Sequence, residues 1–260
     1  MTPEKIRNWR PKKWIEILGT TNQKLARRMA RLAALRSLNG KYLVTGPVGT
    51  GKTSWARLAM AAACCPDVDT DTGGPCGSCD ACQRQGAAFN GDWGTRPHWE
   101  VDCTELDRPA IRELLDDVGQ HPDAIVFLDE LHDLAPKLQK LLQKPIEDHA
   151  GLWIAAAAPD AGGQIIPHLY DRLSRRRLQR PTEHELQQFF EAATAAWGLT
   201  APTGLISVVL ARAAGSFRTC LDVVAAAAEQ ADRRLTQEII DERLPVNHDL
   251  VTPDSELHWS

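Results

Sequence analysis

The sequence lacks the features of membrane-embedded, secreted and disordered proteins. No apolar run approaches the ~18–20 residues that a membrane-spanning helix requires, and the N-terminal stretch MTPEKIRNWRPKKW has charge but no apolar segment, unlike a secretory signal. Hydrophobic residues make up 43% and charged residues 25%, close to the average of globular proteins. We therefore expect a folded cytoplasmic protein, whose 260 residues form one large domain or two small ones.

An overall excess of positive charge is also missing, because the formal net charge is −4. Composition alone therefore gives no sign of nucleic-acid binding. Local clusters can still bind, since the field near a patch matters more than the sum. Two basic clusters occur, and each is either a binding patch or a solvated face: Lys5, Arg7, Arg10, Lys12 and Lys13, and then Arg172, Arg175, Arg176, Arg177 and Arg180.

Cysteines are odd in number, and most of them lie close together. Cys76, Cys79 and Cys82 form a C-x₂-C-x₂-C motif in a stretch rich in Pro, Gly, Asp and Thr. A fourth thiolate can come from Cys64 or Cys65. In a cytoplasmic chain this pattern favours a metal over disulfides, and four thiolates suit a structural, tetrahedral Zn²⁺. An iron–sulfur cluster and unliganded thiols are the alternatives.

Strand and helix patterns alternate up to about residue 180, which predicts an α/β fold with a mostly parallel sheet covered on both faces. Thr21 or Asn22 is the predicted cap of the first helix. The predicted strands cover 41–45, 98–102, 124–128, 152–158 and 175–179, and the predicted helices cover 22–38, 52–63, 109–118 and 136–148.

After Pro181 the pattern is helical only. Thr182 and Glu185 form a capping box for a helix that runs to about Trp197. Three more helices are predicted over 203–214, 216–232 and 236–243, so a small helical domain follows the sheet.

The segment GPVGTGKT at 46–53 matches the phosphate-loop pattern G-x-x-x-x-G-K-[ST] between a predicted strand and a predicted helix. Its glycines let successive N–H groups point at anionic oxygens, and the helix start adds its positive dipole end. Lys52 should reach the β- and γ-phosphates, and Thr53 should bind Mg²⁺. The predicted nucleotide-binding residues are Gly46, Pro47, Val48, Gly49, Thr50, Gly51, Lys52, Thr53 and Ser54.

Asp129 and Glu130 follow an apolar strand, AIVFL, at 124–128. Ligands of open α/β sheets bind at the carboxyl ends of the strands. We therefore expect Asp129 to hold the magnesium shell and Glu130 to polarise the attacking water. A plain helix-starting acidic pair is the simpler alternative.

Together these motifs resemble the gamma/tau ATPase subunit of the bacterial DNA polymerase III clamp loader, a member of the AAA+ class. The resemblance runs from Trp9 to about Ala228. It rests on WRPKKWIEILGT (9–20), GPVGTGKTSWARLAMAAACC (46–65), the cysteine motif, HWEVD (98–102) and FLDELHDL (127–134). It implies an AAA+ P-loop parallel sheet with an inserted zinc module and a small all-helical lid domain. The implied domains are 1–180 (zinc module 64–85), 181–244 and a tail, 245–260.

The resemblance also implies roles for individual residues. Ile17 and Leu18 match positions that flank adenine, and Cys65 aligns as the first zinc ligand, before Cys76, Cys79 and Cys82. Leu173-Ser174-Arg175 resembles a Ser-Arg-Cys motif whose arginine reaches the neighbouring subunit's ATP site, although Arg176 replaces the cysteine. Gly215-Ser216-Phe217-Arg218 resembles a lid motif whose arginine touches the γ-phosphate.

As a member of this family the chain would be an ATPase that loads a sliding clamp onto primed DNA. Its cofactors would be ATP, Mg²⁺ and Zn²⁺. Its partners would be clamp-loader-type subunits or copies of itself, with shared ATP sites, together with the clamp and the DNA, and no membrane.

Two departures from the family pattern stand out. Ala155–Ala158 replaces a strand end that carries a polar threonine in the family, which affects hydrolysis more than nucleotide binding. The chain also ends where the family's oligomerising collar would begin, so we expect assembly that is weak or depends on partners. A non-hydrolysing ATP-bound scaffold, or a regulator in a mobile-element or defence system, are the alternative functions.

Overall fold

The computed structural model describes residues 2–83, 90–92 and 96–245. These residues form two compact units. The larger unit covers Arg10–Glu185, and the smaller unit joins the described residues up to Trp9 to those from Leu186 onward. Part of the predicted zinc module and nearly all of the predicted tail lie outside the described residues.

A six-stranded sheet forms the centre of the larger unit, in the order β2-β3-β4-β5-β1-β6. Five neighbouring strands run parallel and only β2 is antiparallel to its neighbour, so the prediction of a mostly parallel sheet is confirmed. The strands are β1 (Gly40–Thr45), β2 (Asn90–Asp92), β3 (Pro97–Asp102), β4 (Ile125–Asp129), β5 (Leu152–Ala157) and β6 (Ser174–Arg177).

Helices cover both faces of this sheet, which explains why the central strands are apolar throughout. Trp55, Phe127 and Ile154 belong to the core on one face, and Val126 and Trp153 belong to the core on the other. The helices of this unit are α2 (Thr20–Ala34), α3 (Lys52–Cys64), α4 (Asp80–Gln83), α5 (Arg108–Gly119), α6 (Pro136–Asp148) and α7 (Pro167–Tyr170). Short 3₁₀ turns cover Trp14–Glu16, Leu131–Asp133 and Ala161–Gly163.

The start of α2 differs from the prediction. Gly19, with φ of 89°, occupies the N-cap position, so the predicted cap by Thr21 or Asn22 is wrong. The buried Asn22 amide instead donates to the carbonyls of Leu18 and Gln179, each at 2.9 Å, and its oxygen accepts from the N–H of Gln179 at 2.9 Å. Asn22 therefore joins α2 to the segment after β6, a long-range role that local sequence does not indicate.

The smaller unit is helical, as the pattern after Pro181 predicts. It contains α1 (Pro3–Arg7), most of α8 (Glu183–Ala196), α9 (Thr203–Ala213), α10 (Phe217–Glu229) and α11 (Gln237–Arg243). The predicted capping box is present, since the Thr182 N–H donates to Glu185 at 2.9 Å and the Glu185 N–H donates to Thr182 at 3.3 Å.

Helix α1 packs with the helices at the other end of the chain. Ile6 is fully buried in their core, and the Arg7 guanidinium pairs with Asp222 at 2.9 Å and Glu229 at 3.0 Å. The sequence analysis assigns these N-terminal residues to the first domain. A short local pattern cannot indicate a contact with residues about two hundred positions away. No helix of the described residues is long and apolar enough to cross a membrane.

Candidate nucleotide site and thiol cluster

The phosphate loop connects β1 to α3 at the carboxyl end of the sheet. Gly49 and Gly51 have φ of 79° and 90°, conformations that other residues adopt only with strain. Gly46 is needed for a different reason, since a Cβ there would lie 2.8 Å from the Leu178 carbonyl oxygen. The loop is thus held closely against the segment that follows β6, and its N–H groups and the start of α3 can receive an anion.

Lys52, the first residue of α3, is almost fully buried. Its ammonium donates a hydrogen bond to the Gly46 carbonyl at 3.0 Å, across the loop. A buried ammonium needs anionic or hydrogen-bonding partners. Phosphate oxygens held by the loop would satisfy its remaining donors, so the placement of Lys52 suits a nucleotide.

Thr53 and Asp129 meet at the predicted magnesium position. The Thr53 hydroxyl donates to the Asp129 carboxylate at 2.9 Å, although Thr53 lies in the first turn of α3 and Asp129 ends β4. The other carboxylate oxygen of Asp129 accepts from the Glu130 N–H at 3.1 Å. A hydroxyl and a carboxylate are oxygen ligands of the kind that Mg²⁺ prefers, so these two residues could hold the ion beside the phosphate loop.

Glu130 adopts an unusual backbone conformation, with φ of 49°. Such a left-handed conformation is uncommon outside glycine and clusters at functional sites. Its carboxylate lies 3.5 Å from Nδ1 of His132, a side chain that is mostly buried. His132 lies in the FLDELHDL segment (127–134) that carries the family resemblance, and the structure adds its proximity to Glu130.

The alanine run ends beside the phosphate loop. Ala157 pairs with Thr45, the last residue of β1 before the loop, and Ala155 to Ala157 are all buried. The end of β5 therefore lies at the same edge of the sheet as the phosphate loop. Hydrocarbon side chains here offer no group to hydrogen-bond a water or a phosphate.

Arg175 lies on β6, opposite Leu43 of β1. This register places it about three residues before the phosphate loop, roughly 10 Å at the rise of a β-strand. The guanidinium lies over the Tyr170 ring, 4.8 Å from its centroid, and the residue is exposed. Its neighbour Arg176 instead covers Tyr42 on the opposite face, at 5.2 Å.

The remaining predicted nucleotide contacts lie in separate places. Ile17 is buried in the core beneath the sheet, and Leu18 is half-buried, its carbonyl accepting from Asn22. Arg218 is an exposed residue in the first turn of α10, in the smaller unit, behind the Ser216 cap. Their roles toward a nucleotide remain predictions.

Four cysteine thiols converge as the motif spacing predicts. The Sγ atoms of Cys65, Cys76, Cys79 and Cys82 all lie within 4.8 Å of one another. The Cys76–Cys82 separation is 3.8 Å and the Cys65–Cys79 separation is 3.9 Å. With zinc–sulfur bonds of about 2.3 Å, a tetrahedral site has sulfur–sulfur edges of about 3.8 Å. The four thiols therefore fit a closed tetrahedral metal site.

The electrostatics of these thiols differ. The hydroxyl and N–H of Ser78 donate to Cys76 and lower the pKa of its thiol to about 6, whereas burial raises the pKa of the Cys82 thiol. Cys64 lies apart from the cluster. Its sulfur is 3.7 Å from Nδ1 of His98, and burial raises its pKa to about 12. Between the two candidates for the fourth ligand, Cys65 is the one the geometry favours.

Comparison with known proteins agrees with this architecture. Residues 42–186 match the ATPase family associated with various cellular activities (AAA). The DNA polymerase III subunit tau/gamma of Haemophilus influenzae is 26% identical over 95% of the chain and 36% of its own length. The DNA polymerase III subunit tau of Escherichia coli is 30% identical over 59% of the chain and 24% of its own length. The chain thus spans 36% and 24% of the lengths of these two relatives.

Solved structures agree on the fold. The RuvB Holliday junction branch migration motor of Thermotoga maritima superimposes with a TM-score of 0.62 at 18% identity, over 90% of this chain and 71% of that chain. At this identity the likeness concerns the fold alone.

Proposed function

The chain belongs to the ATPase family associated with various cellular activities, and from that premise we propose that it is a clamp-loader-like ATPase of DNA replication. It would use ATP to load a sliding clamp onto primed DNA. The observation that carries the proposal is the meeting of Thr53 and Asp129, at 2.9 Å, beside a glycine loop that holds a buried Lys52. The tau and gamma names of its relatives support the replication setting.

ATP binding uses the loop and the start of α3. The N–H groups of 46–53 and the Lys52 ammonium bind the phosphates, and the dipole of α3 adds to their positive field. Thr53 and Asp129 would hold Mg²⁺, which supplies positive charge to the β- and γ-phosphate oxygens.

In the hydrolysis step, Glu130 would act as the general base. Its carboxylate accepts a proton from water as the water oxygen bonds to the γ-phosphorus. The bond to the β–γ bridging oxygen then breaks, which yields ADP and phosphate. The Nδ1 atom of His132 lies 3.5 Å from this carboxylate and has no hydrogen-bond partner among the described residues, so it is available to orient Glu130.

Arg175 would complete the ATP site of a neighbouring subunit. Its exposed position on β6, three residues short of its own phosphate loop, supports a role in trans rather than in cis. An arginine supplied in this way can be worth about 10³–10⁵ in rate. Arg218, on α10, would contact the γ-phosphate and report the nucleotide state to the helical unit, which would then act as a lid.

The thiols of Cys65, Cys76, Cys79 and Cys82 would hold a structural Zn²⁺, which would hold together an otherwise loop-rich insertion. Four protein ligands leave no open coordination position. The module would therefore serve structure or partner contact, and not the reaction.

ATP hydrolysis measured with and without primed DNA tests the proposal. Turnover should rise steeply with protein concentration, since the site is shared between subunits. Lys52→Ala should abolish ATP binding, and Glu130→Gln should bind ATP without turning it over. Arg175→Ala should lose turnover while keeping ATP affinity, whereas Arg172→Ala, which removes an exposed arginine that pairs with Glu147 before β6, should keep turnover. Turnover by Glu130→Gln at the parent rate would show that this glutamate has another role.

The alanine run supports a second candidate, a scaffold that binds ATP without hydrolysing it. Ala157 pairs with the last residue of β1 before the phosphate loop, and its methyl group offers no hydrogen bond there. Tight nucleotide binding without turnover, with DNA and clamp present, would favour this scaffold over the ATPase.

A further inference from the structure

An open groove lies outside the nucleotide site, between α2 and the loop that begins the cysteine module. Its volume is about 580 Å³, and it is bounded by α2, the turn at Trp14–Glu16 and residues 70–73. Neither the phosphate loop nor the end of β4 contributes to its lining. The groove is therefore a separate feature of the larger unit.

The groove is rigidly built. The Trp14 indole N–H donates to the Gly73 carbonyl at 3.0 Å in the buried floor. Gly73, with φ of 62°, rests directly on α2, since a Cβ there would lie 1.9 Å from the Ala30 carbonyl oxygen. The loop is thus seated on the helix without a gap, and the shape of the groove is preformed.

Apolar side chains stand exposed at this groove. Ile15 is 69% exposed and Leu35 is 66% exposed, and both line it. The described residues include one other large hydrophobic side chain this exposed, Val48 of the phosphate loop. Clustered exposed hydrophobic groups, rimmed by polar residues, mark interaction sites.

The rim of the groove is mainly basic. Lys13, Arg27 and Arg31 line it against a single acidic residue, Asp71. Like charges four residues apart on a helix, such as Arg27 and Arg31, repel each other. Among the described residues no carboxylate lies within ion-pair distance of either guanidinium. The sequence also contains no acidic residue between Glu16 and Asp67.

We propose that this groove binds an acidic amphipathic helix of a partner protein. From Gln23 to Leu35 the wall formed by α2 is about 18 Å long, which matches a helix of about 12 residues. Apolar residues at i, i+3/i+4 and i+7 would cover Ile15 and Leu35. Carboxylates on its flank would pair with Arg27 and Arg31. A nucleic-acid backbone fits less well, because it would leave the apolar side chains uncovered and face Asp71.

This inference goes beyond the proposed function and requires no ATP hydrolysis. The test is selection of a displayed library of random peptides, about 12 residues long to match the groove, on the protein. Enriched peptides should combine Asp or Glu with large apolar residues at helical spacing. Fluorescence anisotropy with a labelled enriched peptide then gives affinities for variants of the full chain.

Two charge-reversed double variants are matched in charge, helix and spacing. Arg27→Glu with Arg31→Glu changes the groove, and Lys24→Glu with Arg28→Glu changes exposed residues of α2 outside its lining. The first pair should weaken peptide binding at least about tenfold, as should Ile15→Ser with Leu35→Ser, while the control pair should leave it nearly unchanged. Circular dichroism confirms that each variant is folded.

Three results would overturn the proposal: no enriched peptide, enriched peptides without acidic residues, or equal losses in both charge-reversed pairs. Binding of a short duplex DNA that depends on Arg27 and Arg31, without an enriched peptide, would assign these cations to nucleic acid. ATP hydrolysis by the Arg27 and Arg31 variant should match the parent. Failure of the groove proposal is therefore distinguishable from failure of the ATPase proposal.

Discussion

The Thr53 hydroxyl donates a hydrogen bond of 2.9 Å to the Asp129 carboxylate. The two residues are 76 positions apart and belong to different elements. They meet because β4 and the strand before the phosphate loop end at the same edge of the sheet, so both side chains point into one site. Two oxygen-bearing side chains that could hold Mg²⁺ are thereby brought together beside the phosphate loop.

Removal of the Thr53 hydroxyl tests this arrangement. Thr53→Ala should lower magnesium-dependent ATP hydrolysis by at least about tenfold, since even outer-shell partners of metal ligands cost about 10- to 100-fold. Thr53→Ser retains the hydroxyl and should keep most of the activity. Titration of hydrolysis against Mg²⁺ would measure both variants. Equal rates for the alanine and serine variants would show that the Thr53 hydroxyl does not take part in binding Mg²⁺.

The proposed zinc site and its fourth ligand are open to a direct test. Cys65→Ser should lower zinc affinity by at least about 10- to 100-fold, because Cys65 lies within the thiol cluster. Cys64→Ser, one position away, should keep a full equivalent of zinc, because its sulfur lies against His98 instead. Elemental analysis of the purified variants measures this. Loss of zinc from the Cys64→Ser variant, with zinc retained by the Cys65→Ser variant, would make Cys64 the ligand. Bound iron with a visible absorption band would favour an iron–sulfur cluster over zinc.

Gly73 should tolerate no side chain. Gly73→Ala adds a Cβ 1.9 Å from the Ala30 carbonyl oxygen, at a positive φ. Overpacking and backbone strain together should cost about 2–4 kcal/mol of unfolding free energy.

Gly77→Ala is the control for Gly73→Ala, because Gly77 has φ of 78° with open space around it. Backbone strain alone should lower the unfolding free energy of the Gly77→Ala variant by about 1 kcal/mol. Chemical denaturation compares the two, and equal losses would mean that the contact with α2 is not tight.

Glu185 should make the stability of the larger unit sensitive to acid. Its carboxylate accepts hydrogen bonds from the hydroxyl and N–H of Thr20 and of Thr182, which lower its pKa from 4.5 to about 2. The Glu185 carboxylate therefore becomes protonated near pH 4.5 in the unfolded chain, but only near pH 2 in the folded chain. The stabilisation is complete above this window and is lost as the pH falls through it.

Glu185→Gln removes that titration. The difference in denaturation midpoint between parent and variant should be largest at about pH 6 and should shrink toward about pH 3. A constant difference across this range would contradict the assignment. The effect should be modest, because solvent still screens a carboxylate that is only partly buried.

Local chemistry was readable from the sequence. Several features depend only on residues that are close together in sequence. These are the strands, the helix after the phosphate loop, the capping box at Thr182 and the C-x₂-C-x₂-C motif. Such features follow from periodicity, glycine conformation and helix-end hydrogen bonds, which depend on neighbouring positions. The predicted helix cap by Thr21 or Asn22 was wrong, because Gly19 occupies the N-cap and Asn22 bonds to Gln179, which is distant in sequence.

By itself the sequence determined the type of sheet, the phosphate loop, the acidic pair and a metal motif, because these are written in short patterns. The tertiary structure decided the contacts between residues that are far apart in sequence, which no short pattern contains. It chose Cys65 over Cys64, joined Thr53 to Asp129, placed α1 among the C-terminal helices and opened a basic, apolar groove beside α2. Each of these outcomes depends on which distant surfaces pack together, since packing is set by the whole core and not by any one segment.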